Sequence, residues 1–391
     1  MKYLIYLLFL LLSFGQLQRI SFLDQQVNIY LHEVVMGLIL IKQICLARYV
    51  KRISIWKEIF FLLGVFLLSL INNFWQFNYL QNLVGFLYWG RLLLYFSFFV
   101  VILNWVKKEN KINKETVRKG INIFILLTII FSYVQYFLYP NLRNLYYLGW
   151  DPHQYRVFGL FFDTSAAGIV FVIMFFWIMT RKKKELIRSI GLIGVVGLIL
   201  LTYSRITYLS FIVGLTFFIF TQEPVPLKAR RFWVIPNRTL FWFGVIFLFF
   251  IFIFLLPRPF GEGVKLERIF TIEARLVDYQ EGLKLWLKKP ILGYGYNRIR
   301  YVKQVDNFTH AGAAFSSSFL TVLVASGLIG LIGLIGLIGR IFKQGDQLVK
   351  TIILVIVTAS LFDNIFLNNF ILLFFFVIVC VSFIPPSDKL R

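Results

Sequence analysis

Apolar and polar positions alternate along this chain in long blocks. Apolar runs fall at 3–20, 27–46, 56–72, 84–106, 120–139, 160–180, 189–203, 206–221, 239–256, 316–341, 350–363 and 369–384, and short charged segments separate most of them. A helix of about 20 apolar residues crosses the hydrocarbon core of a bilayer, where a helix satisfies its own backbone groups. The pattern predicts an all-α, polytopic integral membrane protein of about twelve transmembrane helices, with residues 1–391 forming a single membrane domain. One polar stretch, 257–315, separates the ninth and tenth runs and reads as a single large loop.

Within that loop, the segment of about 271–289 has an amphipathic helical pattern. Leu276, Tyr279, Leu283 and Trp286 recur on one face, Thr271 can cap the start, and Pro290 ends the helix. Glu273 near its start and Lys288 and Lys289 near its end suit the helix dipole. Gly327, Gly330, Gly333, Gly336 and Gly339 recur every third residue in the next run, which points to close packing between helices.

Composition agrees with a membrane environment: 59% of residues are hydrophobic, 15% are charged, and 46 are Phe. Soluble domains carry about 25% charged residues. The net charge of +23 would suit nucleic acid if it formed a patch, but the cations sit in short clusters between apolar runs. Connections 42–58, 107–119, 181–188 and 222–238 hold five, six, five and four Lys or Arg, whereas 72–82 has none and 140–155 has only Arg143. Basic connections stay cytoplasmic, so the expected topology has both termini inside and the 257–315 loop outside. That loop carries ten Lys or Arg against six acidic residues, which long translocated loops tolerate, and it invites anionic membrane lipids or phosphates. Ser13-Phe14-Gly15 permits a cleaved leader, although the first helix is read as retained. Cys45 and Cys380 lie far apart in or beside apolar runs and offer no disulfide or metal framework.

Charge placed in or beside an apolar run marks candidate chemistry. Arg91 lies inside the fourth run, and His32 and Glu33 lie in the second. Four basic residues fall on the expected external side: Arg156, Arg205, Arg275 and His310. Arginine grips phosphate through paired, charge-assisted hydrogen bonds, so this set points to a lipid-attached pyrophosphate. His310 borders the same side and can accept a proton near neutral pH. No His/Cys/Asp set has metal-ligand spacing and no Walker-type glycine loop occurs, so chemistry without a metal or other cofactor is expected.

These residues, in order, resemble the O-antigen ligase and polymerase superfamily of bacterial membrane glycosyltransferases. The carriers of the resemblance are Arg156-x-x-Gly159, Thr202-Tyr-Ser204-Arg205, Arg275 with Trp286 and Pro290-Ile-Leu-Gly293-Tyr-Gly295, and His310 ahead of Phe319-Leu320 and Gly327-Leu-Ile-Gly330. It covers about 120–384 and implies a GT-C-like membrane fold. It further implies metal-independent, inverting transfer of a glycan from an undecaprenyl-pyrophosphate carrier to a glycolipid, a growing polysaccharide or a protein. Arg205 and Arg275 match positions that hold the pyrophosphate, Arg156 is grouped with them, and His310 matches the base. Arg91 is a possible supporting residue. Where many relatives have His-Asn shortly before Phe-Leu, this chain has Ser316-Ser317-Ser318, so Ser316 is the alternative to His310. A polymerase of the same superfamily remains open, as does a polysaccharide transporter or flippase; no repeat relates the two halves of the chain, which counts against the transporter. The expected place is the cytoplasmic membrane of a bacterium, with the site on its outer face.

Overall fold

The computed structural model describes residues 1–45, 54–108, 110–181, 185–221, 244, 249, 251–256, 264–266, 269–305 and 310–382. Its helices are α1 (Lys2–Ser13), α2 (Leu31–Cys45), α3 (Trp56–Asn72), α4 (Tyr79–Lys108), α5 (Asn110–Leu138), α6 (Thr164–Met179), α7 (Glu185–Leu201), α8 (Arg205–Phe220), α9 (Phe270–Lys288), α10 (Ser318–Gln344), α11 (Gln347–Phe362) and α12 (Asn369–Ser382), with short helical turns between some of them. Three stretches, Tyr79–Lys107, Lys111–Leu138 and Ser318–Gln344, are long and apolar enough to cross a membrane, and α1, α6, α8, α11 and α12 are apolar but shorter. The expected connection 222–238 lies outside the described residues, as does most of the run 239–256.

The two most apolar helices sit innermost. α6 starts where the Asp163 carboxylate accepts the amides of Ser165 and Ala166, at 2.6 and 2.9 Å, and then runs without a charged residue to Met179. Its residues from Ala166 to Trp177 are buried on every side, as is all of α12 from Phe370 to Ser382. A helix apolar all round belongs in the centre of such a bundle. α12 is held there by ring contacts, Phe376 against Phe99 at 4.7 Å and Phe374 against Phe124 at 4.8 Å between centroids. Leu68, Leu126 and Ile193 keep their apolar side chains on the outer surface.

The apolar runs 3–20 and 27–46 each contain more than a helix. Arg19–Phe22 and Val27–Tyr30 form an antiparallel hairpin, Arg19 opposite Tyr30, turned by Leu23, Asp24 and Gln25 in left-handed conformations. Three such residues without a glycine give no turn signal in the sequence.

α10 is broken at Gly327, whose backbone (φ 66°, ψ −168°) leaves the helix. The freed carbonyls of Val324 and Ala325 accept the amides of Tyr294 (3.0 Å) and Gly295 (2.8 Å), and the Leu328 amide donates to the Pro290 carbonyl at 2.8 Å. The end of α3 closes the joint: the Ser69 hydroxyl donates to the Ala325 carbonyl at 2.8 Å, and Asn73 to that of Gly293 at 2.9 Å. Side chains are excluded here, because a Cβ on Gly327 would lie 2.0 Å from the Ile291 oxygen and one on Gly293 2.4 Å from the Val324 oxygen. The three-residue glycine period therefore serves two purposes. Gly333 admits Phe61 and Leu62 of α3, as close packing predicts, whereas Gly327 makes a break and Gly336 and Gly339 meet nothing within 4 Å.

α9 occupies the segment expected to be an amphipathic helix and differs from that expectation in two respects. Its first residue is Phe270 and no side chain caps it; Thr271 lies inside the first turn with its hydroxyl engaged elsewhere. The expected face also divides. Gly282 sits against Leu320 of α10, with Tyr279 and Trp286 half-buried beside it, while Leu276 and Leu283 remain exposed in a stripe with Ile272 and Leu287.

Candidate functional site

The turn between α7 and α8 is built to present Arg205. Its backbone carries Tyr203 at positive φ, and the extended Ser204 caps α8 by accepting the Thr207 amide. Arg156 fixes this turn from behind: its Nε donates to the Thr202 carbonyl at 2.8 Å and one Nη to that of Tyr203 at 3.2 Å, in a buried position. The Arg156 segment is itself held by Gln135, whose side-chain oxygen accepts the amides of Phe158 and Gly159, both at 3.0 Å. Arg205 then extends from the first position of α8 to α9, donating to the Leu266 carbonyl at 3.3 Å and to Thr271 Oγ1 at 2.5 Å.

Arg275 follows Thr271 by about one helical turn, so the two guanidiniums share one locality. Burial, and then the like charge of Arg275, hold Arg205 below the usual arginine range. Two cations held this near each other favour an anion between them. α9 is clamped in place by its polar edge. The Tyr279 hydroxyl lies 2.6 Å from the Leu361 carbonyl and 3.1 Å from that of Ser316; the Asp278 carboxylate accepts the Ser316 amide at 2.5 Å and Lys303 Nζ at 2.8 Å.

Asp363, just past α11, completes the cluster. Burial pushes its carboxyl up to about 6, the Asp163 carboxylate adds to the rise, and Arg275 opposes it. Its ionised form is disfavoured by folding, so its contribution runs opposite to that of a salt-bridged carboxylate. As pH falls from about 6 towards 4, the folded protein takes up a proton that the unfolded chain does not, and stability rises. Thermal unfolding in detergent should therefore shift upward between pH 7 and pH 5 by an amount equivalent to about 1 kcal/mol. Asp363→Asn should flatten that profile; an unchanged slope in the variant would disprove the assignment. Asp163 and Asp363 did not stand out in the sequence, although an Asp closing the run 350–363 is itself the signal of a charge at a membrane boundary.

A cavity of about 260 Å³ adjoins this cluster through Asn364. Amides of Asn28, Asn297, Asn368 and Asn369 line it, together with Tyr88, Tyr296 and Arg91. Arg91 pairs through Nε with Glu33 at 3.0 Å, and Glu33 also accepts the Tyr95 hydroxyl at 3.1 Å, which lies 2.9 Å from His32 Nε2. His310 opens a helical turn, His310–Ala313, whose Ala313 and the following Ala314 reach the cavity wall; its side chain is outside the described atoms. Ser316 gives its amide and carbonyl to α9. The structure thus brings Arg156, Arg205 and Arg275 to one end, joins Ser316 to it through α9, and places Arg91 in the lining of the adjoining cavity.

The loop after α9 is also polar and fixed. Lys289 donates to Asn73 at 2.5 Å and to Gln76, and the fully buried Arg298 donates to the Leu70 carbonyl at 3.0 Å and to Asn82. No charge pattern along the chain pairs these residues with the end of α3, because the partners are neutral amides and a carbonyl.

Residues 190–335 match the family model described as O-antigen ligase. That stretch contains Arg205, Arg275, His310 and Ser316, the Gly327 break and all of α9, and it supports membership of the O-antigen ligase and polymerase superfamily. No curated protein matches the chain.

Proposed function

We propose, on the premise that residues 190–335 carry an O-antigen ligase domain, that this bacterial membrane protein transfers a glycan from an undecaprenyl-pyrophosphate carrier to an acceptor hydroxyl. The twelve apolar runs act as spans of the cytoplasmic membrane, both termini face the cytoplasm, and the Arg205 cluster faces outward. Supporting this reading above all is the meeting of Arg205 and Arg275 around Thr271. Their guanidiniums hold the pyrophosphate, and Arg156 keeps the Arg205 turn in register.

In the reaction, the acceptor oxygen attacks the anomeric carbon from the face opposite the carrier. The bond from that carbon to the pyrophosphate oxygen breaks, and its electron pair leaves with the pyrophosphate, so the configuration inverts. His310 accepts the proton of the hydroxyl, with Ser316 as the alternative position. Charge grows on the departing pyrophosphate, and two preorganised cations stabilise it where other enzymes use a metal. Holding donor and acceptor together at the membrane surface lowers the barrier further.

The test is transfer by the purified full chain in vesicles, from a defined polyprenyl-pyrophosphate glycan. Transfer should proceed in EDTA with inverted anomeric configuration. Loss of transfer in EDTA that Mg²⁺ restores would refute the metal-free mechanism, and absence of transfer to any glycolipid, glycan or protein acceptor would refute the function.

A further inference from the structure

Arg91 stands at the junction of two different spaces. On one side is the amide-lined cavity. On the other is an apolar groove of about 330 Å³ between α2 and α4, walled by Val27, Ile29, Val34, Leu87 and Leu94, with Glu33, Tyr88 and Arg91 at its inner end. Ile29, Val34 and Leu87 are exposed on the outer surface, so the groove is open to the side. The Arg91 side chain is 12% exposed, pairs with Glu33 through Nε, and is flanked by the Tyr88 ring at 4.6 Å from its centroid. Its two terminal nitrogens hydrogen-bond to no described residue, although they carry four of the five donors of the fork.

The sequence of environments is that of an amphiphile: an apolar trough, one incompletely paired cation, then a chamber of asparagine amides and tyrosine rings. Asparagine amides both donate and accept, as sugar hydroxyls require. Asn364 lines the chamber and donates its backbone amide to Asp363, which feels the charge of Arg275. We infer that Arg91 binds the anionic group of a second lipid-linked glycan, the acceptor, whose tail lies in the α2–α4 groove and whose sugars fill the chamber towards the Arg205 cluster. This assignment rests on the transferase reading for the acceptor role, but not for the binding itself. The anion can come from a polyprenyl phosphate or diphosphate, or from a phosphate or carboxylate on an acyl-chain glycolipid.

The experiment places a photoactivatable p-benzoylphenylalanine at Val34 of the full chain in vesicles. The vesicles contain a polyprenyl-diphosphate glycan, an acyl-chain phosphoglycolipid, or a neutral glycolipid with the same sugars, and adduct masses identify the captured lipid. Either anionic glycan should be captured, and the one preferred names the source. Capture should fall at least ~10-fold in Arg91→Gln, the loss expected for a charge-assisted contact. It should be partly restored in Arg91→Lys and unaffected by Arg205→Ala. Because Arg91→Gln leaves Glu33 buried without its cation, the double variant Glu33→Gln/Arg91→Gln serves as the folded control, and Leu87→Trp should block the groove without touching the charge. Equal capture of the neutral glycolipid, capture unaltered by Arg91→Gln and by the double variant, or capture of bulk phospholipid alone would overturn the proposal. Arg91-dependent capture of a glycan lipid without transfer to it would leave the site standing and remove the transferase reading.

Discussion

Arg205→Ala and Arg275→Ala should each reduce glycan transfer by at least ~10²-fold while leaving the protein in the membrane at unchanged levels. Removing one preorganised donor from a developing anion costs about 10²–10³ in turnover, or roughly 3–4 kcal/mol. Neither side chain carries the fold: Arg205 spends its contacts on the Leu266 carbonyl ahead of α9 and on one hydroxyl within α9. Lysine should recover little at either position, because a point charge lacks the paired donors that match a phosphate edge. The double variant should be scarcely worse than either single one, since groups that hold one anion together act as a unit. Initial rates with a radiolabelled donor, scored against membrane abundance, decide the matter. Full activity in either variant removes the two-arginine clamp.

Gly327→Ala should be severely damaging for the exchange of a single hydrogen for a methyl group. The residue occupies a left-handed, extended conformation, and its new Cβ would lie 2.0 Å from the Ile291 oxygen. The backbone strain alone costs on the order of 1–3 kcal/mol. The clash adds to it, because the neighbour is backbone fixed by the Leu328-to-Pro290 hydrogen bond and cannot rotate away. A loss of more than ~3 kcal/mol is expected, a large share of a typical folding free energy. Gly336→Ala, nine residues later on an open face, is the control and should be neutral within ~0.5 kcal/mol. Thermal unfolding of both variants in one detergent gives the comparison; equal midpoints would show that the break at Gly327 is not required.

Much of the helical framework could be read from the chain, because apolar length is a strong signal and tolerates error at the ends. The described helices fall on the apolar runs, and α9 appears within a residue or so of its expected limits. What the sequence concealed depends on backbone conformations and on partners distant in the chain. The 19–30 hairpin hides in two apolar runs and turns without glycine. The break at Gly327 looks, in sequence, identical to the packing glycines that follow it, because a helix interruption and a small-residue contact both ask for the absence of a side chain. The arginines were visible as a set on one side. Their division of labour was not: charge, placement and motif group Arg156 with the anion-holding residues, and nothing in the chain announces its contacts to the main-chain oxygens of Thr202 and Tyr203. Thr271 was expected to cap a helix and instead receives Arg205, a choice made by a residue 66 positions away.

That last contact also orders events during biosynthesis. Arg205 emerges from the ribosome well before Thr271, so the 65 residues between them must be made before α9 can meet α8. Nascent chains stopped short of residue 270 would hold the first arginine with neither its hydroxyl partner nor its companion cation. The pairing of the two arginines is therefore acquired late, only once α9 has been made and has folded back onto α8.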